Sequence, residues 1–178
     1  MIITSHGDGY FKIQSGGLAI VVDPLDNRVK ADAVLKTKTS LPLPSTQPLI
    51  PTMSGPGEYE FHEIEISGFP ANTKADSKML ETIYKIKAED ISLIFLGNPA
   101  KLPETEIIEK IGDVDIIFAP PESAKFVKQL EPKIIVASYF KNSNSAEKEF
   151  EQKITIQEKL TIKKKDIEDK MQLIMIKV

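Results

Sequence analysis

Beyond Asp90 the chain alternates short apolar runs with short amphipathic ones, and no other feature restricts its fold as strongly. ISLIFLGN (91–98), DVDIIFAPP (113–121) and KIIVASYF (133–140) read as buried strands. Between them, PETEIIEKIG (103–112) reads as a helix with Ile107, Ile108 and Ile111 on one face and Gly112 at its stop. ESAKFVKQLEP (122–132) reads as a second helix, with Phe126, Val127 and Leu130 inward and Pro132 ending it. The rhythm is β-α-β-α-β.

The first seventy residues read differently, as an antiparallel meander. YFKIQ (10–14) and LAIVVDP (18–24) flank Ser15-Gly16-Gly17, where glycine's access to positive φ makes a hairpin turn. AVLK (33–36) supplies another strand, after which Pro42, Pro44, Pro48 and Pro51 exclude regular structure through the low forties and up to Thr52. In GPGEYEFHEIEISGF (55–69) the apolar phase shifts between Tyr59/Phe61 and Ile64/Ile66, which places His62-Glu63 at a two-residue turn. The tail from Ile154 reads as closing strands, ITIQ, KLTIKKKD and MQLIMIKV, around a charged turn. MQLIMIKV fits an internal sheet position better than a dimerisation edge. There is no repeat at a solenoid period and no low-complexity linker, and one domain, residues 1–178, is expected.

Composition removes several function classes. A net charge of −3, from 23 Lys+Arg against 26 Asp+Glu, gives no basic footprint for nucleic acid. No apolar run is long enough to span a bilayer, and MIITSHGDGY lacks the layout of a signal peptide, so a cytoplasmic protein without a membrane partner is expected. With no cysteine, thiolate catalysis and Cys-ligated metals are excluded. Any chemistry falls to two histidines, the carboxylates, Ser/Thr, Tyr and Lys.

Most of the remaining suggestive features have plain structural explanations. Gly7-Asp8-Gly9 and Gly55-Pro56-Gly57 lack the lysine and Ser/Thr of a phosphate loop and read as turns. Glu58, Glu60, Glu63 and Glu65 read as a solvated hairpin face, and Lys163-Lys164-Lys165 as a solvated turn. His6 in a strand-end loop, His62 at a turn and Ser40 without an evident base form no triad that the sequence displays.

In order along the chain, IITSHGDGYFKIQ (2–14), LAIVVDP (18–24), ADAVLKT (31–37), GPGEYEFHEIEISGFPA (55–71), LIFLGN (93–98), IGDVDIIFAP (111–120) and EPKIIVASYF (131–140) resemble the metallo-β-lactamase fold. The resemblance is to its small metal-dependent hydrolases, the ascorbate-6-phosphate lactonase-like branch. It implies an α/β (α+β) four-layer αββα sandwich with a metal site in the cleft between the two sheets. In that family the strand ending in Thr leads into His-x-His-x-Asp-His, which binds zinc or a similar metal. Here the register reads Lys38-Thr39-Ser40-Leu41-Pro42-Leu43. An ammonium has no lone pair to give, and leucine and proline have no ligand atom. The histidine expected after Pro-Ala falls near Asn72 or Thr73, the bridging aspartate on Asn98 after Gly97, and the last histidine on Tyr139. Asp8 takes the place of a histidine near the metal, and Asp23 matches the aspartate of the family's Asp-Pro turn.

The expected reading is therefore a metal-free, non-catalytic module for binding or scaffolding, without a cofactor. Its ligand-pocket candidates are Asp8, Asp23, Lys38, Ser40, Asn98 and Tyr139, for a small polar ligand or a protein partner, with homo-oligomerisation left open. Lys38 is expected to stand in for the metal's charge, its ammonium beside Asp8 and Asp23. Three alternatives stay open: a hydrolase with a mononuclear site drawn from His6, Asp8, Asp23 and His62; a hard ion on Asp8, Asp23 and Asn98; and a regulatory partner of an active relative.

Overall fold

In the computed structural model, two sheets face each other across one apolar layer, and helices cover the far face of the second sheet. The structure describes all residues except 27, 44–47, 72–77 and 104, and the backbone alone at 105. Pro44, Asn72 and Thr73 therefore lie outside the described residues. The strands are β1 (Ile2–Ser5), β2 (Phe11–Ser15), β3 (Leu18–Val22), β4 (Ala33–Leu35), β5 (Lys38–Ser40), β6 (Thr52–Met53), β7 (Gly57–Phe61), β8 (Ile64–Pro70), β9 (Met79–Ala88), β10 (Ile91–Phe95), β11 (Ile116–Ala119), β12 (Ile134–Ala137), β13 (Ile154–Gln157), β14 (Leu160–Thr161) and β15 (Gln172–Ile176). The helices are α1 (Thr105–Ile111), α2 (Ala124–Leu130) and α3 (Ser143–Phe150).

The first sheet runs β14-β1-β2-β3-β4-β6 and the second β13-β15-β12-β11-β10-β9-β8-β7, with β5 added onto β9. Strand alternation builds the layer between them, because every second residue faces inward. Ile3, Phe11, Ile13, Ile20, Val22 and Leu35 of the first sheet meet Ile66, Tyr84, Ile86, Leu93, Phe95, Phe118 and Val136 of the second. Phe95 stacks on Phe118 at 4.0 Å between ring centres, and Phe11 meets the edge of Phe118 at 4.7 Å. The opposite face of β9–β12 carries Ile83, Ile94, Ile117 and Ile135, which pack on Ile111 of α1, Phe126, Val127 and Leu130 of α2, and Ala146 and Phe150 of α3. This is the two-sheet sandwich that the resemblance implies, with the β-α-β-α-β half in the second sheet, and the described α-helices all lie on that sheet. No helix among the described residues is long and apolar enough to cross a membrane.

Both expected hairpins form. Gly16 and Gly17 turn β2 into β3, and His62, at φ 54°, turns β7 into β8. β15 lies between β12 and β13, so MQLIMIKV is internal. The antiparallel meander needs correction, because β3 pairs parallel with β4 and β4 parallel with β6. A parallel pair cannot be closed by a tight turn, and the chain between these strands, 23–32 and 36–51 with β5 in the latter, is longer than one. Ahead of the proline-rich stretch, the polar Lys38–Ser40, which reads as loop, forms β5 antiparallel to β9.

β5 decides the geometry of the cleft. The chain leaves the first sheet at Leu35 and joins the second at Lys38, with Thr37 as the corner. Thr37 N–H donates to Asp23 Oδ1 at 2.7 Å, and its carbonyl accepts from Thr82 N–H at 2.8 Å, so this one residue is bonded to both sheets.

Candidate functional site

β10, β11 and β12 are mutually parallel, as are β3 and β4, so Asp23, Thr37, Gly97 and Ser138-Tyr139 all follow strand C-termini. Such strand ends are where open α/β sheets place their sites. Gly9, Asp23, Thr37, Gly97, Ser138 and Tyr139 converge there over a floor of Phe11, Phe95 and Phe118. The cavity they enclose measures only about 10 Å³, roughly the room one water requires.

The tyrosine ring accounts for the lack of space. A Cβ on Gly9 would fall 2.0 Å from Tyr139 Cζ, so the ring lies directly on the glycine backbone. Gly97 has the same relation to Thr37, whose Oγ1 would be 2.4 Å from a Cβ there. Gly9 and Gly97 have φ of 77° and 65°, which glycine adopts freely. Asp8, Asp23 and Tyr139 adopt φ of 41°, 48° and 61° without that freedom. Non-glycine residues in this region cluster at sites where surrounding structure forces them.

Asp23 is held by three donors. Oδ1 accepts from Thr37 N–H, while Oδ2 accepts from Thr37 Oγ1 at 2.5 Å and from Tyr139 Oη at 3.4 Å. Burial pushes the Asp23 carboxyl above its ordinary pKa, with the Thr37 and Tyr139 hydrogen bonds opposing. Burial, followed by the negative charge of Asp23, also raises the Tyr139 phenol.

Lys38 is not where the sequence reading puts it. Its Nζ pairs with Glu81 Oε1 at 3.0 Å and lies 3.5 Å from the Asn98 carbonyl, and it reaches neither Asp8 nor Asp23. Strand alternation explains the difference. Thr37 turns its side chain to Asp23, so Lys38 turns away, and the β5–β9 register sets it directly opposite Glu81. Glu81 is 3% exposed and also accepts the Ala100 N–H, at 3.2 and 3.3 Å. Thr37 and Glu81 are the residues the sequence reading missed. Glu81 had one local signal, as the lone carboxylate of the strand MLETIYKIKA.

The remaining candidates disperse. Ser40 is exposed and donates to Met79 Sδ at 3.4 Å, outside the cavity lining. The side chains of Asp8 and Asn98 are exposed at the rim. His6 lies 3.4 Å from Thr4 Oγ1 and packs on Tyr10 at 4.9 Å between ring centres. His62 sits with Gly16 and Glu89, at the end of the sheets where β3 begins, whereas Asp23 follows the end of β3. A site joining His6, Asp8, Asp23 and His62 is therefore not assembled.

A transition-metal ion bound by protein needs about three or four strong donors within roughly 2.0–2.3 Å. The cavity lining offers one carboxylate, whose oxygens are already bonded, and no imidazole. Among the described residues no group of three or more His, Asp or Glu side chains is placed to hold a metal. The donor set does not fit the metal that the fold family implies.

Comparison with known proteins gives the fold its context. The structure matches a candidate Zn-dependent hydrolase of the metallo-beta-lactamase superfamily from Thermotoga maritima with a TM-score of 0.81 and 19% identity, over 98% of this chain and 97% of that one. It matches a metallo hydrolase from the archaeon Ignicoccus hospitalis with a TM-score of 0.68 and 15% identity, over 91% and 99% of the two chains. The metallo-beta-lactamase fold protein YhfI from Bacillus subtilis matches with a TM-score of 0.65 and 10% identity, over 99% and 96%. Comparison with curated proteins gave no significant match. Identities this low speak for the fold alone. In sequence, the family profile described as "Beta-lactamase superfamily domain" matches residues 2–138. With that profile spanning most of its length, the chain belongs to the beta-lactamase superfamily.

Proposed function

We propose that this protein is a metal-free, non-catalytic member of its superfamily that acts as a binding or scaffolding module. The observation that carries the reading is the filling of the cleft: Tyr139 lies on Gly9, and both oxygens of Asp23 are spent on Thr37 and Tyr139. A hydrolase of this fold has to place a metal-activated water beside a substrate carbonyl or phosphoryl group. A cavity of about 10 Å³ supports neither that arrangement nor a small polar ligand, which favours a protein partner on the outer surface.

The hydrolase chemistry named for the fold neighbours is tested by offering the purified protein lactones, carboxylic esters and phosphodiesters, with Zn²⁺, Mn²⁺ or Fe²⁺ supplied. The reading predicts hydrolysis no faster than that of an Asp23→Ala variant purified in parallel. Turnover by the wild type clearly above that control would contradict it and restore the hydrolase with relocated ligands.

A further inference from the structure

We infer that the cleft has become a phenol-binding site whose occupant is the chain's own Tyr139. Three features make this a built site rather than chance packing. The ring rests on Gly9, where any side chain would overlap it, since a Cβ would come within 2.0 Å of Cζ and 2.1 Å of Oη. The hydroxyl donates to Asp23 Oδ2 at 3.4 Å, and that carboxylate is fixed by two bonds from Thr37. The floor beneath is aromatic, with Phe11, Phe95 and Phe118 buried to within 3%. A flat apolar slot with one acceptor at its polar end is the chemistry that recognises a phenol. Tyr139 reaches it from the end of β12 at φ 61°, a backbone conformation few side chains enter unless held there. It connects the end of β12 in the second sheet to Asp23 at the end of β3 in the first. The inference rests on the metal-free reading of the cleft, yet the two fail separately. Metal uptake by the wild type would overturn that reading, while the experiment below bears on the internal phenol alone.

The test is to remove the occupant and offer it back in solution. Glycine suits φ 61°, so Tyr139→Gly removes the ring without adding backbone strain. The expected result is a lower Tm for the variant and a recovery on titration with phenol that rises with the logarithm of its concentration above the dissociation constant. That recovery should reach about 3–6 °C at a tenfold excess over the dissociation constant. Toluene, which lacks the hydroxyl, should give less, and the wild-type Tm should stay unchanged. A variant that does not respond to phenol, or a response equal to that of the wild type, would overturn the inference. Should Tyr139→Gly fail to fold, a cycle of Tyr139→Phe and Asp23→Asn replaces it. Coupled losses support the hydroxyl–carboxylate tie, and additive losses overturn it.

Discussion

Asp23 sets the pH behaviour of the cleft. Because burial raises its folded-state pKa, the native protein holds this proton more tightly than the unfolded chain does. The favourable term is then fully present below the unfolded value near 3.8 and is lost as pH rises through the folded value. Asp23→Asn removes the charge and keeps an acceptor for Thr37 N–H. Urea denaturation from pH 4 to 7 should therefore show the wild type losing stability relative to Asp23→Asn as pH rises. A difference that is flat, or that grows in favour of the wild type, would contradict the burial argument. Gly9 belongs to the same scale. Gly9→Ala forces a methyl into the Tyr139 ring at φ 77°, and overpacking plus left-handed strain should cost about 3 kcal/mol. A loss under about 1 kcal/mol in the same assay would mean that the ring does not bear on the glycine as described.

β5 shows what an element contributes when local sequence gives it no support. Lys38–Ser40 is polar, precedes a proline and reads as loop, and it becomes a strand only because β9 lies alongside it. Its pairing predicts an asymmetry. Lys38 is half exposed, so Lys38→Ala removes a screened ion pair and should cost under about 1 kcal/mol. Glu81 is buried and also accepts the Ala100 N–H, so Glu81→Ala should cost about 2 kcal/mol or more. Chemical denaturation of the two variants checks the order, and equal losses would count against it. The elements that were legible in sequence share a physical trait: their pattern is local. ISLIFLGN, DVDIIFAPP and KIIVASYF are buried by composition, and the glycine and His62 turns are set by neighbouring residues. β9 and α3 were not read, for opposite reasons. MLETIYKIKA is buried on both faces yet carries Glu81, Lys85 and Lys87, so neither alternation nor a clean apolar run appears. SNSAEKEF buries only Ala146 and Phe150, too few apolar positions to mark a helical face.

Over the whole molecule, the two sheets meet at a cleft closed by residues that lie far apart in the chain: Gly9, Asp23, Thr37, Gly97 and Tyr139. The resemblance places Lys38, Ser40, Pro42, Leu43, Asn98 and Tyr139 at the family's metal-ligand positions. The contact between Tyr139 and Asp23 is not legible in the sequence, because the two are 116 residues apart and it depends on the packing of both sheets. Charge alone points Lys38 towards Asp23, but strand alternation pairs it with Glu81, and the side chain that reaches Asp23 from the second sheet is Tyr139. The central claim is that this cleft binds no transition metal. It is tested most directly by elemental mass spectrometry on untagged protein, purified without chelator, incubated with Zn²⁺, Mn²⁺, Fe²⁺ or Mg²⁺ and then desalted. The account predicts well under one metal per chain in every case; one tightly held ion per chain, lost in the Asp23→Ala variant, would contradict it.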